Sequence, residues 1–200
     1  MYLVATDIEH FDPIGLMFQT GYLTIQAKKN LDFGVMYELS YPNYEVRLAF
    51  SRSLLANYTK NVPSFISSFA LALRKTLLNL EWSEFFERVN KVFAEVPYEI
   101  FPRQEIFMHS LVHLMVQSTG LRTQSQVQTS IGRIDMLVET LKHQIIFEFK
   151  IAGIPQNALE QINEKRYADM LNKPVIKIGV VFNLENKCID DWQVEPATLV

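Results

Sequence analysis

The sequence predicts an α/β fold: a central mixed β-sheet flanked by helices, preceded by a helical region and a small α+β segment. Three observations lead there. Apolar residues make up 48% of the 200 residues, as in ordinary globular proteins, so the chain has enough material for a core. Residues 101–200 alternate helix and strand patterns in the order α-β-β-β-α-β. The first three strand patterns are joined by short polar links and the last is reached through a helix, which is how an antiparallel meander gains a parallel neighbour.

Residues 1–60 read as mixed. Phe11 to Gln19 has helical character and closes at Thr20-Gly21. Tyr22-Leu-Thr-Ile25 alternates like a strand, Lys28-Lys-Asn30 reads as a turn, and Val35 to Leu39 is again strand-like. Tyr41-Pro-Asn43 marks a second turn before a helix over Glu45 to Tyr58. Helix, hairpin and helix suggest a small winged-helix-like unit; a plain α+β linker fits the pattern equally well.

Residues 61–95 are helical. Ser64 is placed to cap a helix through Leu78, with Phe65, Phe69, Leu73 and Leu77 at four-residue spacing. Ser83 is placed to cap a second helix through Ala94, which Pro97 stops. These faces are packing surfaces before they are anything else.

Residues 96–200 form the third section. Pro102 sits near a helix start and Gly120 fits the position after its end, so Arg103 to Thr119 is one helix. Strand patterns follow at Gln124–Gln128, Arg133–Thr140 and Gln144–Ile151. Pro155 opens a helix through about Leu171, and Val175 to Phe182 is a further apolar strand.

Several classes fall away. The longest uncharged run, Ile106 to Leu121, has 16 residues, includes two histidines and is short of the ~20 apolar residues of a membrane helix. Met1 to His10 lacks the basic and apolar regions of a signal peptide. Cys188 stands alone, which excludes an internal disulfide and a cysteine zinc site. No G-x-x-x-x-G-K or G-x-G-x-x-G occurs, so no phosphate-binding P-loop is present. A cytoplasmic protein without a membrane segment is the expectation. With 19 Lys and Arg against 22 Asp and Glu the net charge is −3, so any contact with nucleic acid rests on locally placed cations.

The chemistry concentrates in two strands. In Ile145-Ile-Phe-Glu-Phe-Lys-Ile151, Phe147, Phe149 and Ile151 point one way and Ile146, Glu148 and Lys150 the other. A carboxylate and an ammonium in so apolar a strand are costly unless paired or metal-bound. A Glu–Lys pair at a half-exposed strand end is the other reading. In Gly132-Arg-Ile-Asp-Met-Leu-Val138, Asp135 also sits in an apolar strand, and Gly132 lets the backbone bend. Twelve residues separate Asp135 from Glu148, with a short polar turn between, so the two lie on adjacent antiparallel strands. Side by side at ~4 Å, with an effective dielectric of ~20, their charges repel by about 4 kcal/mol and call for a cation. Hard oxygen ligands with open positions suit Mg²⁺. Such a pair beside Lys150 is equipment for phosphodiester hydrolysis, in which the metal activates a water and neutralises charge on phosphorus.

Asp135, a gap, then Glu148-Phe-Lys150 resembles the PD-(D/E)XK nuclease superfamily. The wider run from Gln126 to Thr140, with Ile146–Lys150, Ala158–Ile162 and Tyr167-Ala168, is similar to the nuclease-like C-terminal part of bacterial proteins whose N-terminal part is an AAA-ATPase-like domain. Phe18–Ile25 and Tyr41–Val46 look like the junction segment of those proteins. The proline of the family's name is absent, since Ile134 precedes Asp135.

The resemblance implies a restriction-endonuclease-like core over residues 96–200, with residues 1–60 as a junction or remnant of an ATPase-like part. It implies Mg²⁺ or Mn²⁺ as cofactor, held by Asp135, Glu148 and the backbone carbonyl of Phe149, with Glu105 as an added acidic ligand. Lys150 would be the catalytic lysine, Gln161 a polar group facing substrate or water, and Tyr167, from the same helix motif, a candidate contact to nucleic acid. Apart from the resemblance, Arg133 and Lys165, the latter four residues after Gln161, are candidate phosphate contacts by position; a solvated basic face is the other reading. His109 matches a histidine common in this subgroup. The expected activity is metal-dependent hydrolysis of nucleic acid, DNA foremost. The alternative is a non-catalytic nuclease-fold module serving protein interaction or nucleic-acid docking. An ATPase-like partner and a homodimer are compatible with either. Glu105, His109 and His113 also share a helix face, which raises zinc as a rival metal.

Overall fold

The computed structural model describes residues 12–102, 104–129 and 132–197. Phe11 and Arg103, expected at helix starts, and Ser130-Ile131, inside the motif run, lie outside the described residues. The chain divides into two units, Met1–Phe50 and Ser51–Val200.

In the first unit, Asp12 Oδ1 accepts the Ile14 N–H at 3.0 Å and caps helix α1, Pro13–Gln19. Strands β1, Thr24–Leu31, and β2, Gly34–Ser40, pair antiparallel. The expected turn at Lys28–Asn30 is wrong: those residues belong to β1, and the turn is Asp32-Phe33, between the paired Leu31 and Gly34. Both strands are almost wholly exposed, so polar residues are tolerated along them and polarity does not mark the turn. Asn43 Oδ1 accepts the Val46 N–H at 2.9 Å, starting helix α2, Tyr44–Thr59. The boundary between the units falls inside α2.

The second unit is built on one apolar run. Gln144–Lys150 forms β5, buried at every position except Lys150. Burial on both faces requires a central strand. The sheet order is β3-β4-β5-β6-β7, with β3 Arg122–Thr129, β4 Gly132–Glu139, β6 Val175–Asn183 and β7 Cys188–Glu195. β3, β4 and β5 are antiparallel neighbours, and β6 lies parallel to β5. The crossover between them is α6, Pro155–Glu164. The mixed sheet flanked by helices is the expected architecture, consistent with a restriction-endonuclease-like core.

β7 is an addition to the expected order. Asp190-Asp191 interrupts any apolar alternation there, and the pairing register shifts between Val181 and Phe182. α6 is shorter than expected: Arg166 takes φ 48°, and Tyr167–Met170 continues only as a 3-10 turn.

One sheet face carries Phe147, Phe149, Ile178, Val180 and Phe182 beneath helices α3, Pro63–Asn79, α4, Trp82–Glu95, and α5, Glu105–Ser118. Phe149 stacks on Phe182 at 5.1 Å, and Phe85 of α4 meets Phe147 at 5.8 Å. The expected side-chain caps are corrected. Val62 and Glu81 hold the N-cap positions of α3 and α4 without a side-chain bond, because Pro63 takes the first helical position of α3 and Trp82 already opens α4. Arg52 and Arg74 donate to the Ser118 and Thr119 carbonyls at the end of α5, where cations are attracted to the negative end of the helix dipole. The other sheet face packs Leu137 and Ile146 against Leu159 and Ile162 of α6 and Tyr167.

Asn90 of α4 joins helix to sheet edge. Its amide donates to the Ile189 carbonyl at 2.9 Å and its carbonyl accepts the Ile189 N–H at 2.7 Å. One side chain thus occupies backbone groups that a further strand would use. Asn90→Ala should destabilise the protein by about 2 kcal/mol, two bonds at roughly 1 kcal/mol each, measured by denaturant unfolding. Among the described residues no helix is long and apolar enough to cross a membrane.

Candidate active site

The β4–β5 ladder pairs Leu137 with Ile146 and Met136 with Phe147, and stops there. The next residues along the two strands are Asp135 and Glu148. By strand alternation Asp135 shares the face of Leu137, and Glu148 that of Ile146, so both carboxylates belong to the α6 side. Asp135 Oδ2 accepts the Phe149 N–H at 3.1 Å. An extended residue presents its N–H and C=O to the same side, which sends the Phe149 carbonyl toward Asp135 as well.

Glu148 is 2% exposed. Its Oε1 accepts from Gln161 Nε2, the Gln161 carbonyl accepts from Lys150 Nζ, and Lys150 Nζ lies 3.6 Å from Glu148 Oε1. Its Oε2 is buried without a hydrogen-bond partner. Burial first, and the Asp135 charge second, push the Glu148 carboxyl up to about 7. Two carboxylates crowded together, one with a bare buried oxygen, and a carbonyl aimed the same way make an oxygen donor set that fits a hard divalent cation.

α6 owes its position to Gly179, which pairs with Glu148 in the β5–β6 register. A Cβ there would come within 2.2 Å of the Pro155 carbonyl oxygen and 3.1 Å of Ala158 Cβ. Glycine therefore lets the first turns of α6 lie on the sheet, and Gln161 then reaches Lys150 and Glu148.

A second group meets Asp135 from α5 and β3. A cavity of about 380 Å³ is lined by Glu105, His109, His113, Gln126, Arg133 and Asp135 among others. His109 Nε2 lies 3.0 Å from the Asp135 carbonyl, and Gln126 Nε2 lies 3.3 Å from His109 Nδ1. Burial pushes the His109 imidazole below its usual value, against the raising pull of Asp135. Glu105 is exposed at the start of α5 and shares this cavity. Among the described residues no three His, Cys, Asp or Glu side chains are grouped to hold a metal. Glu105, His109 and His113 line this cavity together with Asp135.

Tyr167 differs from its expected place at the nucleic-acid surface. It is 1% exposed and its hydroxyl donates to the Arg133 carbonyl at 2.8 Å. A Cβ on Gly132 would stand 2.6 Å from that hydroxyl and 3.3 Å from Lys165 Cδ, so Tyr167 and the Lys165 stem pack against the start of β4. Tyr167→Phe should lose about 1 kcal/mol of stability with nucleic-acid affinity unchanged, read by thermal melts and filter binding. Arg133 and Lys165 are exposed. Sequence reasoning missed Gln126 as a site residue; its signal was a position on β3 directly opposite Asp135.

A meander followed by a parallel crossover, with Asp135 and Glu148-Phe-Lys150 where two central strands part, is consistent with a restriction-endonuclease-like core. Residues 103–192 match the family model of the PD-(D/E)XK nuclease superfamily. Such nucleases generally use divalent metal ions and act on nucleic acid. The "Uncharacterized protein in vnfD 5'region" of Azotobacter chroococcum mcd 1 is 29% identical over 203 residues, which cover 96% of this chain and 39% of that protein. The chain thus spans about two fifths of that relative's length. No solved structure matches the chain.

Proposed function

We propose that this chain hydrolyses phosphodiester bonds of nucleic acid, DNA foremost, with Mg²⁺ or Mn²⁺ held by Asp135, Glu148 and the Phe149 carbonyl. The observation that carries the reading is the buried Glu148 carboxylate, crowded by Asp135 and carrying an oxygen without a hydrogen bond. Bound there, a divalent cation supplies Lewis acidity to the phosphate and lowers the pKa of a water.

The protein's own groups supply the rest. Lys150 projects from the same face as Glu148, and Gln161 fixes its ammonium. Lys150 then steadies the phosphate and takes part in moving the proton of the attacking water. Arg133, which lines the cavity, and Lys165, beside Gly132, are the cations that would meet backbone phosphates on this reading. Glu105 adds negative charge across the cavity from Asp135 and acts on the hydration of the site.

The test is a cleavage panel of single- and double-stranded DNA and RNA with Mg²⁺, Mn²⁺ or EDTA. Lys150→Ala should fold normally and cleave roughly 10²–10⁴-fold more slowly, and EDTA should stop cleavage. Equal cleavage by purified wild type and Lys150→Ala would sink the assignment. Nucleic-acid binding without cleavage on every substrate would favour the docking-module reading.

A further inference from the structure

Gln126 lies opposite Asp135, between the pairs Ser125–Met136 and Val127–Ile134. Its φ is +55°, a left-handed conformation that a non-glycine residue rarely adopts. The side-chain contacts supply a reason for it. A backbone carbonyl only accepts, so His109 Nε2, 3.0 Å from the Asp135 oxygen, carries the proton. In the neutral ring Nδ1 is then an acceptor, and the Gln126 amide donates to it at 3.3 Å. The ring is 8% exposed and sits 4.8 Å from the Phe149 ring. Phe149 in turn donates its N–H to the Asp135 carboxylate.

The contacts close a loop. Gln126 orients His109, His109 holds the β4 backbone at Asp135 and touches Phe149, and Phe149 is joined to the Asp135 carboxylate. We infer that Gln126 and His109 are a positioning pair that sets the Asp135 carboxylate and the Phe149 carbonyl in place for a hard divalent cation. Both ring nitrogens are engaged, so His109 acts through the backbone and not as a ligand. Partners of this kind behind metal ligands change metal affinity by roughly 10–100-fold when removed. The inference rests on the proposed reading of Asp135 and Glu148 as cation ligands.

The experiment uses the full chain, with Mn²⁺ as probe and no nucleic acid. Mn²⁺ binding is titrated by electron paramagnetic resonance for wild type, Gln126→Met, His109→Leu and His109→Gln, with circular dichroism on each. Gln126→Met, which keeps side-chain length and removes the donor, should bind tenfold or more weakly while melting near wild type. His109→Leu should bind as weakly, and His109→Gln, which restores a donor toward the Asp135 carbonyl, should recover most of the affinity. Nitrogen-15 imidazole spectra should show the Nε2–H tautomer in wild type and in Gln126→Met, with the Nδ1 resonance of the variant moved toward that of an acceptor without a donor, a change that a packing role would not produce. Wild-type affinity in Gln126→Met, or an Nδ1–H tautomer in wild type, overturns the positioning pair and leaves the metal reading standing. No Mn²⁺ binding by wild type overturns both.

Discussion

Replacing Glu148 with glutamine makes the cation-free protein more stable at pH 8 and removes its response to Mn²⁺. The reasoning starts from Glu148's burial. Its carboxyl titrates near 7 in the folded protein against 4.5 unperturbed. Between those values the folded state holds more protons than the unfolded one, so stability falls as pH rises across the window and levels off above about 7. At about 1.4 kcal/mol per pH unit the whole effect is roughly 3 kcal/mol. The introduced glutamine keeps an oxygen for the Gln161 amide and never ionises, so the variant lacks this slope. At pH 5 variant and wild type should melt together; at pH 8 without divalent cations the variant should melt higher. Mn²⁺ at ~1,000 times its Kd should reverse the order, since binding then adds about 4.1 kcal/mol to a protein that binds it, more than the burden of the buried charge. A Glu148→Gln protein that melts below wild type at pH 8 in EDTA would show that the Glu148 charge is not a burden in the fold.

That argument also shows which parts of the molecule the sequence makes legible. A seven-residue strand with Phe147 and Phe149 alternating against Glu148 and Lys150 admits one placement of its faces, because a one-residue slip would bury the charges on the aromatic side. The placement of Asp135 and Glu148 just past the paired ends of adjacent strands follows from counting across a short turn. Positions fixed by distant contacts are less legible. Tyr167 has basic neighbours, as a nucleic-acid surface would, and only the packing at the end of α6 shows it buried. Gln126 is one of several glutamines on β3, and its role depends on a backbone conformation that polarity does not encode. β7 escapes notice because Asp190-Asp191 is tolerated on an edge strand, where one side faces solvent.

Gly179 gives the second large effect, at a position that bears no functional group. Its Cα pairs with Glu148, so any side chain placed there projects from the face on which α6 lies. The obstacle at 2.2 Å is the Pro155 carbonyl, a backbone atom that moves only if the helix moves. Gly179→Ala should therefore cost about 2–3 kcal/mol, within the range for overpacked cores, and lower the melting temperature by roughly 4–12 °C for a chain of this size. Gly179→Val should cost more. Ala158→Gly in the Gly179→Ala background removes the contact at 3.1 Å but not the one at 2.2 Å, so it should not restore stability. The same shift carries Gln161 away from Lys150 and Glu148. Lys150 loses its acceptor, Glu148 loses its donor, and cleavage should fall at temperatures where circular dichroism still reports a folded protein. Wild-type melting in Gly179→Ala would mean that α6 is not seated by the missing side chain. Lost stability with unchanged cleavage would mean that Gln161 does not set the position of Lys150.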